Sequence, residues 1–190
     1  PDQPSRFLDW KPHGWVDVRS ALARSSNVYF YAVGGGLPRR DITPVRGTES
    51  VKGLGIERLK KYWQKFFLGQ KSGIDMPAEA AGFLPDPAEK EERTAQIWRI
   101  GDTYNVTIGQ GDLLVTPLQL VNIAAAFANG GKLYRPRLVR SPDQSPETLW
   151  DFSSWNTELK EVQKGMEDVV RKPYGTASLL SYLPVPAAGK

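Results

Sequence analysis

The chain has no cysteine and a single histidine, His13, among 190 residues. The first absence excludes a disulfide framework, a thiolate metal site and a cysteine nucleophile. The second makes any Ser-His-Asp arrangement depend on His13, and no Gly-x-Ser-x-Gly elbow accompanies it. Asp9 and His13 together fall short of the three or four ligands of a typical metal site. His13 is therefore read as a turn histidine with a local hydrogen bond, and no cofactor is expected. Long apolar runs are missing too. The longest, Leu113 to Ala128, contains Thr, Pro, Gln and Asn and reads as a buried helix rather than a membrane span. No signal peptide is visible at the start, where Pro1-Asp2-Gln3-Pro4-Ser5 reads as loop. Charge of one sign is not in large excess, since 25 Lys and Arg face 21 Asp and Glu for a net +4. The basic residues are scattered, at Arg39-Arg40, Lys60-Lys61 and Arg171-Lys172, so nothing demands a nucleic-acid partner.

What is present reads as one globular domain, with 40% hydrophobic and 24% charged residues. Asp17 is placed to cap a helix through Val18, Ala21 and Leu22, and Val28 to Val33 predicts a second, strongly apolar helix closed by Gly34-Gly35-Gly36. Residues 37–53, rich in Pro, Arg, Thr and Gly, predict an exposed insertion. Ile56, Leu59, Trp63, Phe66 and Phe67 have helical spacing and predict a core helix over 56–68. Residues 79–94 predict a surface excursion in which Glu89, Lys90, Glu91, Glu92 and Arg93 form a solvated face. Thr116-Pro117 is a helix start. The helix after it is predicted to be tightly packed through Leu118, Val121, Ala124, Ala125 and Ala128, ending at Gly130. Leu133 to Val139 predicts a short edge strand, residues 141–155 a loop, and 156–170 an amphipathic helix with Leu159, Val162, Met166 and Val169-Val170 apolar.

Ser25-Ser26-Asn27 breaks the apolar stretch between the first two helices. Taken alone, the triplet is an ordinary cap or turn. Two distant segments add to it. One is Ile108-Gly109-Gln110-Gly111 followed by Thr116-Pro117-Leu118-Gln119-Leu120 and Asn129-Gly130-Gly131; the other is Val185-Pro186-Ala187-Ala188-Gly189-Lys190. In this order and spacing the three resemble the penicillin-binding proteins, above all the class B, elongation-type D,D-transpeptidases of the penicillin-binding protein 2 branch. Gly73-Ile74-Asp75-Met76-Pro77 and Tyr174-Gly175-Thr176-Ala177 resemble further segments of that family, so the likeness runs from Asp9-Trp10-Lys11 and His13-Gly14-Trp15 onward.

The family's site uses Ser-x-x-Lys, Ser-x-Asn and Lys-Thr/Ser-Gly. The chain holds Ser25-x-Asn27 and, at Lys190, the first residue of the third motif. No Ser-x-x-Lys stands at a matching position: Glu49, Leu68, Glu161 and Ala187 lie three residues before Lys52, Lys71, Lys164 and Lys190. The resemblance implies an α/β, β-lactamase/transpeptidase-like domain. Residues 1–190 would form part of it, without the Ser-x-x-Lys segment and the strands after Lys190, helix-rich with little sheet.

It also implies a serine acyl-enzyme that cross-links peptidoglycan stem peptides and is trapped by β-lactams. Ser25 would relay a proton, Asn27 would bind the substrate amide, and Lys190 would supply positive charge toward Ser25 and the substrate carboxylate. Ser26 is assigned no chemistry. Implied partners are stem peptides, β-lactams and elongation-complex membrane proteins, at an extracytoplasmic site whose parent is anchored by an N-terminal transmembrane helix. The segment alone is expected to be inactive and, with apolar surface uncovered, to self-associate. Alternative readings are a penicillin-sensing domain, a non-catalytic partner-docking module and a β-lactamase.

Overall fold

The computed structural model describes residues 6–37, 50–139 and 145–190. The predicted insertion at 37–53 lies mostly outside them. The described residues fall into two compact units. The first draws on Pro1–Gly14, Ser26–Tyr62 and Leu84–Leu113, the second on Trp15–Ser25, Trp63–Phe83 and Leu114–Lys190.

In the first unit α2 (Asn27–Gly35) packs on α5 (Ile100–Thr107). Glycine makes this approach possible. A Cβ on Gly34 would collide with the Thr107 side chain, and one on Gly35 with the Tyr104 ring. Phe7, Tyr31 and Tyr104 fill the space beside this contact, with ring centroids 5.0–5.8 Å apart. The buried Tyr104 hydroxyl donates to the Gly36 carbonyl at 2.8 Å. Two further helices complete the unit. α3 (Ile56–Lys65), within which the division between units falls, stops earlier than the predicted 68, and Phe67 turns the chain at φ 60°. α4 (Pro87–Thr94) occupies the stretch read as a surface excursion. Asp86 caps it and Pro87 starts it, but its polar sequence carries no apolar stripe, so periodicity could not reveal it. Its face is not wholly solvated either, because the Lys90 side chain is only 12% exposed and pairs with Asp102 at 2.7 Å.

In the second unit α1 (Val18–Arg24) lies on α7 (Asn156–Arg171). Asp17 accepts the Ser20 amide at 2.8 Å and so starts α1. Gly165 admits Leu22, whose Cδ1 would stand 2.7 Å from an added Cβ. Arg19 clasps Glu161 through both of its oxygens. The core gathers Ala126, Leu133, Phe152 and Leu159, with Phe66 stacked on Phe152 at 4.3 Å. β1 (Lys132–Tyr134) pairs antiparallel with β2 (Thr148–Asp151), matching Leu133 to Trp150. The predicted edge strand is thus shorter than expected, and its partner comes from a region read as loop.

α6 (Pro117–Ala128) has the expected Thr116 cap, but of the residues predicted to pack only Leu118 is half-buried. Its inward face is Gln119, Asn122, Ile123, Ala126 and Phe127, while Val121, Ala124, Ala125 and Ala128 are exposed. The reason is chemical. The Gln119 carboxamide, 3% exposed, donates to the carbonyls of Phe67, Gln70 and Ala81 and accepts from the Thr116 amide. These bonds turn a polar residue inward and leave the apolar stripe outside.

Candidate active site

Ser25 ends α1 in the left-handed conformation, φ 53° and ψ 47°. Its amide donates to the Leu22 carbonyl at 3.2 Å, closing the helix and turning the chain away. Two main-chain bonds then bring the C-terminal run to the same place. Thr176 donates to the Ala23 carbonyl at 3.0 Å, and Gly189 donates to the Met166 carbonyl of α7 at 3.0 Å. Gly175 is required in this turn, since a Cβ there would collide with the Val169 carbonyl. With α1 fixed on α7 and residue 189 fixed on α7, the Lys190 Nζ donates to the Ser25 Oγ at 2.8 Å across 165 residues of sequence. Residues 185–190 run without strand pairing among the described residues.

Burial lowers the Lys190 pKa from its ordinary 10.5. The residue as a whole is exposed, with its ammonium turned back onto the Ser25 hydroxyl. A lysine easier to deprotonate is better suited to exchange a proton with a neighbouring hydroxyl.

Asn27 belongs to the first unit, where it is the first residue of α2. It is half-buried, and its side chain makes no hydrogen bond to the described residues. Its backbone N–H donates to Asp9 Oδ1 at 3.2 Å. Ser26 is 3% exposed and is the N-cap of α2. The structure thus brings Ser25 and Lys190 together and sets Asn27 on the opening turn of α2.

Sequence reasoning gave His13 a local hydrogen bond and named no partner for it; the partner is Asp9, at 3.2 Å. Asp9 also reaches Ser26, Asn27 and Val28. These partners stand 17 to 19 residues away, so no local pattern could signal them. Among the described residues no three His, Asp or Glu side chains converge on a metal position. No described helix is long and apolar enough to cross a membrane.

Comparison with known proteins settles the family. The model of the penicillin binding protein transpeptidase domain matches residues 1–190. The chain belongs to the penicillin-binding protein transpeptidase family. Among curated transpeptidases it is 28% identical over 185 residues to the peptidoglycan D,D-transpeptidase MrdA of Acinetobacter baumannii, covering 92% of this chain and 25% of that protein. It is 33% identical over 191 residues to MrdA of Salmonella typhimurium, covering 93% and 27%. Among solved penicillin-binding proteins it is similar to PBP2 of Helicobacter pylori in complex with MreC. There the TM-score is 0.79 and the identity 31%, over 99% of this chain and 32% of that one. PBP2 of Pseudomonas aeruginosa in complex with WCK 5153 gives a TM-score of 0.75 and 30% identity, over 95% and 39%. The chain spans about a quarter of the length of these curated relatives. Its fold is accordingly transpeptidase-like, with helices dominant and a single two-stranded sheet among the described residues.

Proposed function

We infer that the chain is part of a peptidoglycan D,D-transpeptidase domain whose acylation machinery includes Ser25, Asn27 and Lys190. The observation that carries this reading is the Lys190–Ser25 hydrogen bond of 2.8 Å. It joins the serine of Ser-x-Asn to the lysine that opens the family's third motif. A serine from a Ser-x-x-Lys segment attacks the carbonyl of the penultimate D-alanine of a stem peptide. The C–N bond breaks, an acyl ester forms, and the terminal D-alanine leaves with a proton. Ser25 lies in the path of that proton, and Lys190 holds its hydroxyl. The nearby positive charge also stabilises the substrate carboxylate. Asn27 offers its carboxamide to the substrate amide. An amine of a second stem peptide then takes the acyl group and completes the cross-link. β-Lactams enter by the same ester-forming step and remain.

By the same likeness the parent protein works outside the cytoplasmic membrane, anchored to it, among membrane proteins of the elongation complex. The complex of the Helicobacter pylori relative with MreC supports the docking of a protein partner. The test uses a longer chain that joins this segment to a Ser-x-x-Lys and completes the motif at Lys190. Labelling by a fluorescent penicillin should fall by about 100-fold or more in Ser25→Ala and in Lys190→Ala. Unchanged labelling in both would reduce Ser25 to a helix terminus and Lys190 to a surface lysine.

A further inference from the structure

Five donors converge on the carboxylate of Asp9. Its Oδ1 accepts from the amides of Trp10 at 2.9 Å and Asn27 at 3.2 Å. Its Oδ2 accepts from the Ser26 hydroxyl at 2.7 Å and the Val28 amide at 3.2 Å. His13 Nε2 lies 3.2 Å from Oδ1. The two side chains are shielded from solvent: that of Asp9 is 10% exposed and that of His13 3%. A carboxylate only accepts, so the shared proton is assigned to Nε2 of His13. The other ring nitrogen, Nδ1, is buried with no hydrogen-bond partner among the described residues. His13 meets Asp9 through Nε2, and its ring packs against Trp10 at 5.4 Å.

The arrangement exceeds what is needed to start a helix. The first amides of a helix lack internal partners, and one capping side chain normally suffices. Ser26 already supplies that cap by accepting from the Tyr29 amide at 3.4 Å. Asp9 adds a second, charged cap from a separate stretch of chain. It takes the amides of Asn27 and Val28 at the positive end of the α2 dipole. Ser26 is bound twice, once as the cap and once through its own hydroxyl proton to Asp9. The effect is to fix the place and rotation of the first turn of α2 relative to residues 9–13. Asn27 is the first residue of that turn.

We propose that Asp9, braced by His13, is a positioning residue for acylation, holding the backbone of Asn27 so that its carboxamide meets the substrate amide in one fixed geometry. The inference rests on the reading of Asn27 as a substrate-binding residue. Misplacement of a binding group by an ångström is enough to slow a reaction severely. Asp9→Asn replaces one acceptor oxygen with a donor facing donors, which loosens the turn without emptying the site.

The experiment is a double-mutant cycle in the longer, Ser-x-x-Lys-containing chain, with the acylation rate constant and the saturation constant for a penicillin measured separately. Asp9→Asn should slow acylation by about 10-fold or more. Combined with Asn27→Ala it should add nothing beyond Asn27→Ala alone, because both act through one carboxamide. In this chain itself, hydrogen exchange at the amides of Asn27 and Val28 should lose protection in Asp9→Asn. Glu79→Gln serves as the control. It loosens the Ser72-Gly73 turn in the other unit, and should lower the melting temperature while leaving the acylation rate unchanged. If Asp9→Asn does not fold, His13→Gln removes only the brace and should show the same non-additivity at smaller amplitude. Wild-type acylation rates in the folded Asp9 or His13 variant, or losses that simply add to that of Asn27→Ala, would overturn the positioning role. An unlabelled wild-type longer chain would overturn the transpeptidase reading and this inference with it.

Discussion

Gln119 is one of few polar side chains buried in the second unit, and one nitrogen of its carboxamide serves three carbonyls at 2.9–3.0 Å. Gln119→Ala would strand those acceptors. The expected loss is roughly 2–3 kcal/mol of unfolding free energy, read by urea denaturation of this chain. Gln119→Glu should cost at least as much, because the carboxylate would face the same carbonyls. Acid stability belongs to this scale as well. Burial pushes the Asp9 carboxyl up, but hydrogen bonds from Ser26, Asn27, Val28 and Trp10 outweigh it and hold it below its ordinary 3.8. Asp86 is likewise held below 3.8, first by its bond to Lys60. Groups depressed in the folded state bind fewer protons than in the unfolded state, so their contribution is full above the unfolded value. It is lost as pH falls through the folded values. Thermal stability should hold flat from neutrality down to about pH 4 and then fall steeply on further acidification. A flat profile to well below pH 3 would contradict these assignments. Ser25, Asn27 and Lys190 stand out in the sequence as candidates because they lie in short motifs at recognisable spacing. Asp9 was not, since its role exists only once residues 17 to 19 positions away fold back to it.

At the scale of elements, capping chemistry told more than periodicity. Asp17 and Thr116 marked the starts of α1 and α6, and the apolar repeat of α7 marked nearly its whole length. α4 and α5 were hidden: one is polar all round, and the other is a short helix whose glycine and threonines resemble a loop. β2 was hidden because Thr148–Asp151 gains its pairing from β1, not from its own alternation. α6 was recognised as a helix but turned the wrong way, because an apolar stripe is the ordinary sign of a buried face. Here Leu120 and Val121 are 54% and 66% exposed, whereas Ala126 is 2% exposed. Substitution should read out that orientation. Leu120→Lys and Val121→Glu should each change stability by no more than about 0.5 kcal/mol. Ala126→Asp should prevent or severely weaken folding, since it buries a charge beside Leu133 and Phe152. Circular dichroism melts of the three variants check this directly.

For the whole molecule, the uncovered apolar surface has consequences in solution. Besides α6, Leu179, Tyr182 and Val185 are 85%, 79% and 63% exposed. Large uncovered apolar surface drives association, so sedimentation of this chain should show concentration-dependent self-association that Leu120→Lys with Val121→Glu weakens. The match to the family spans residues 1–190, while the chain covers about a quarter of its curated relatives. The proposed acyl-transfer site, to which this chain contributes part, rests on family membership and on the Ser25–Lys190 contact. Intact mass after incubation with a penicillin tests it most directly, on this chain beside the longer one that restores Ser-x-x-Lys and completes the motif at Lys190. One acyl adduct is expected on the longer chain, located on the serine of Ser-x-x-Lys, and none on this chain alone. No adduct on either, or an adduct on Ser25 of this chain, would contradict it.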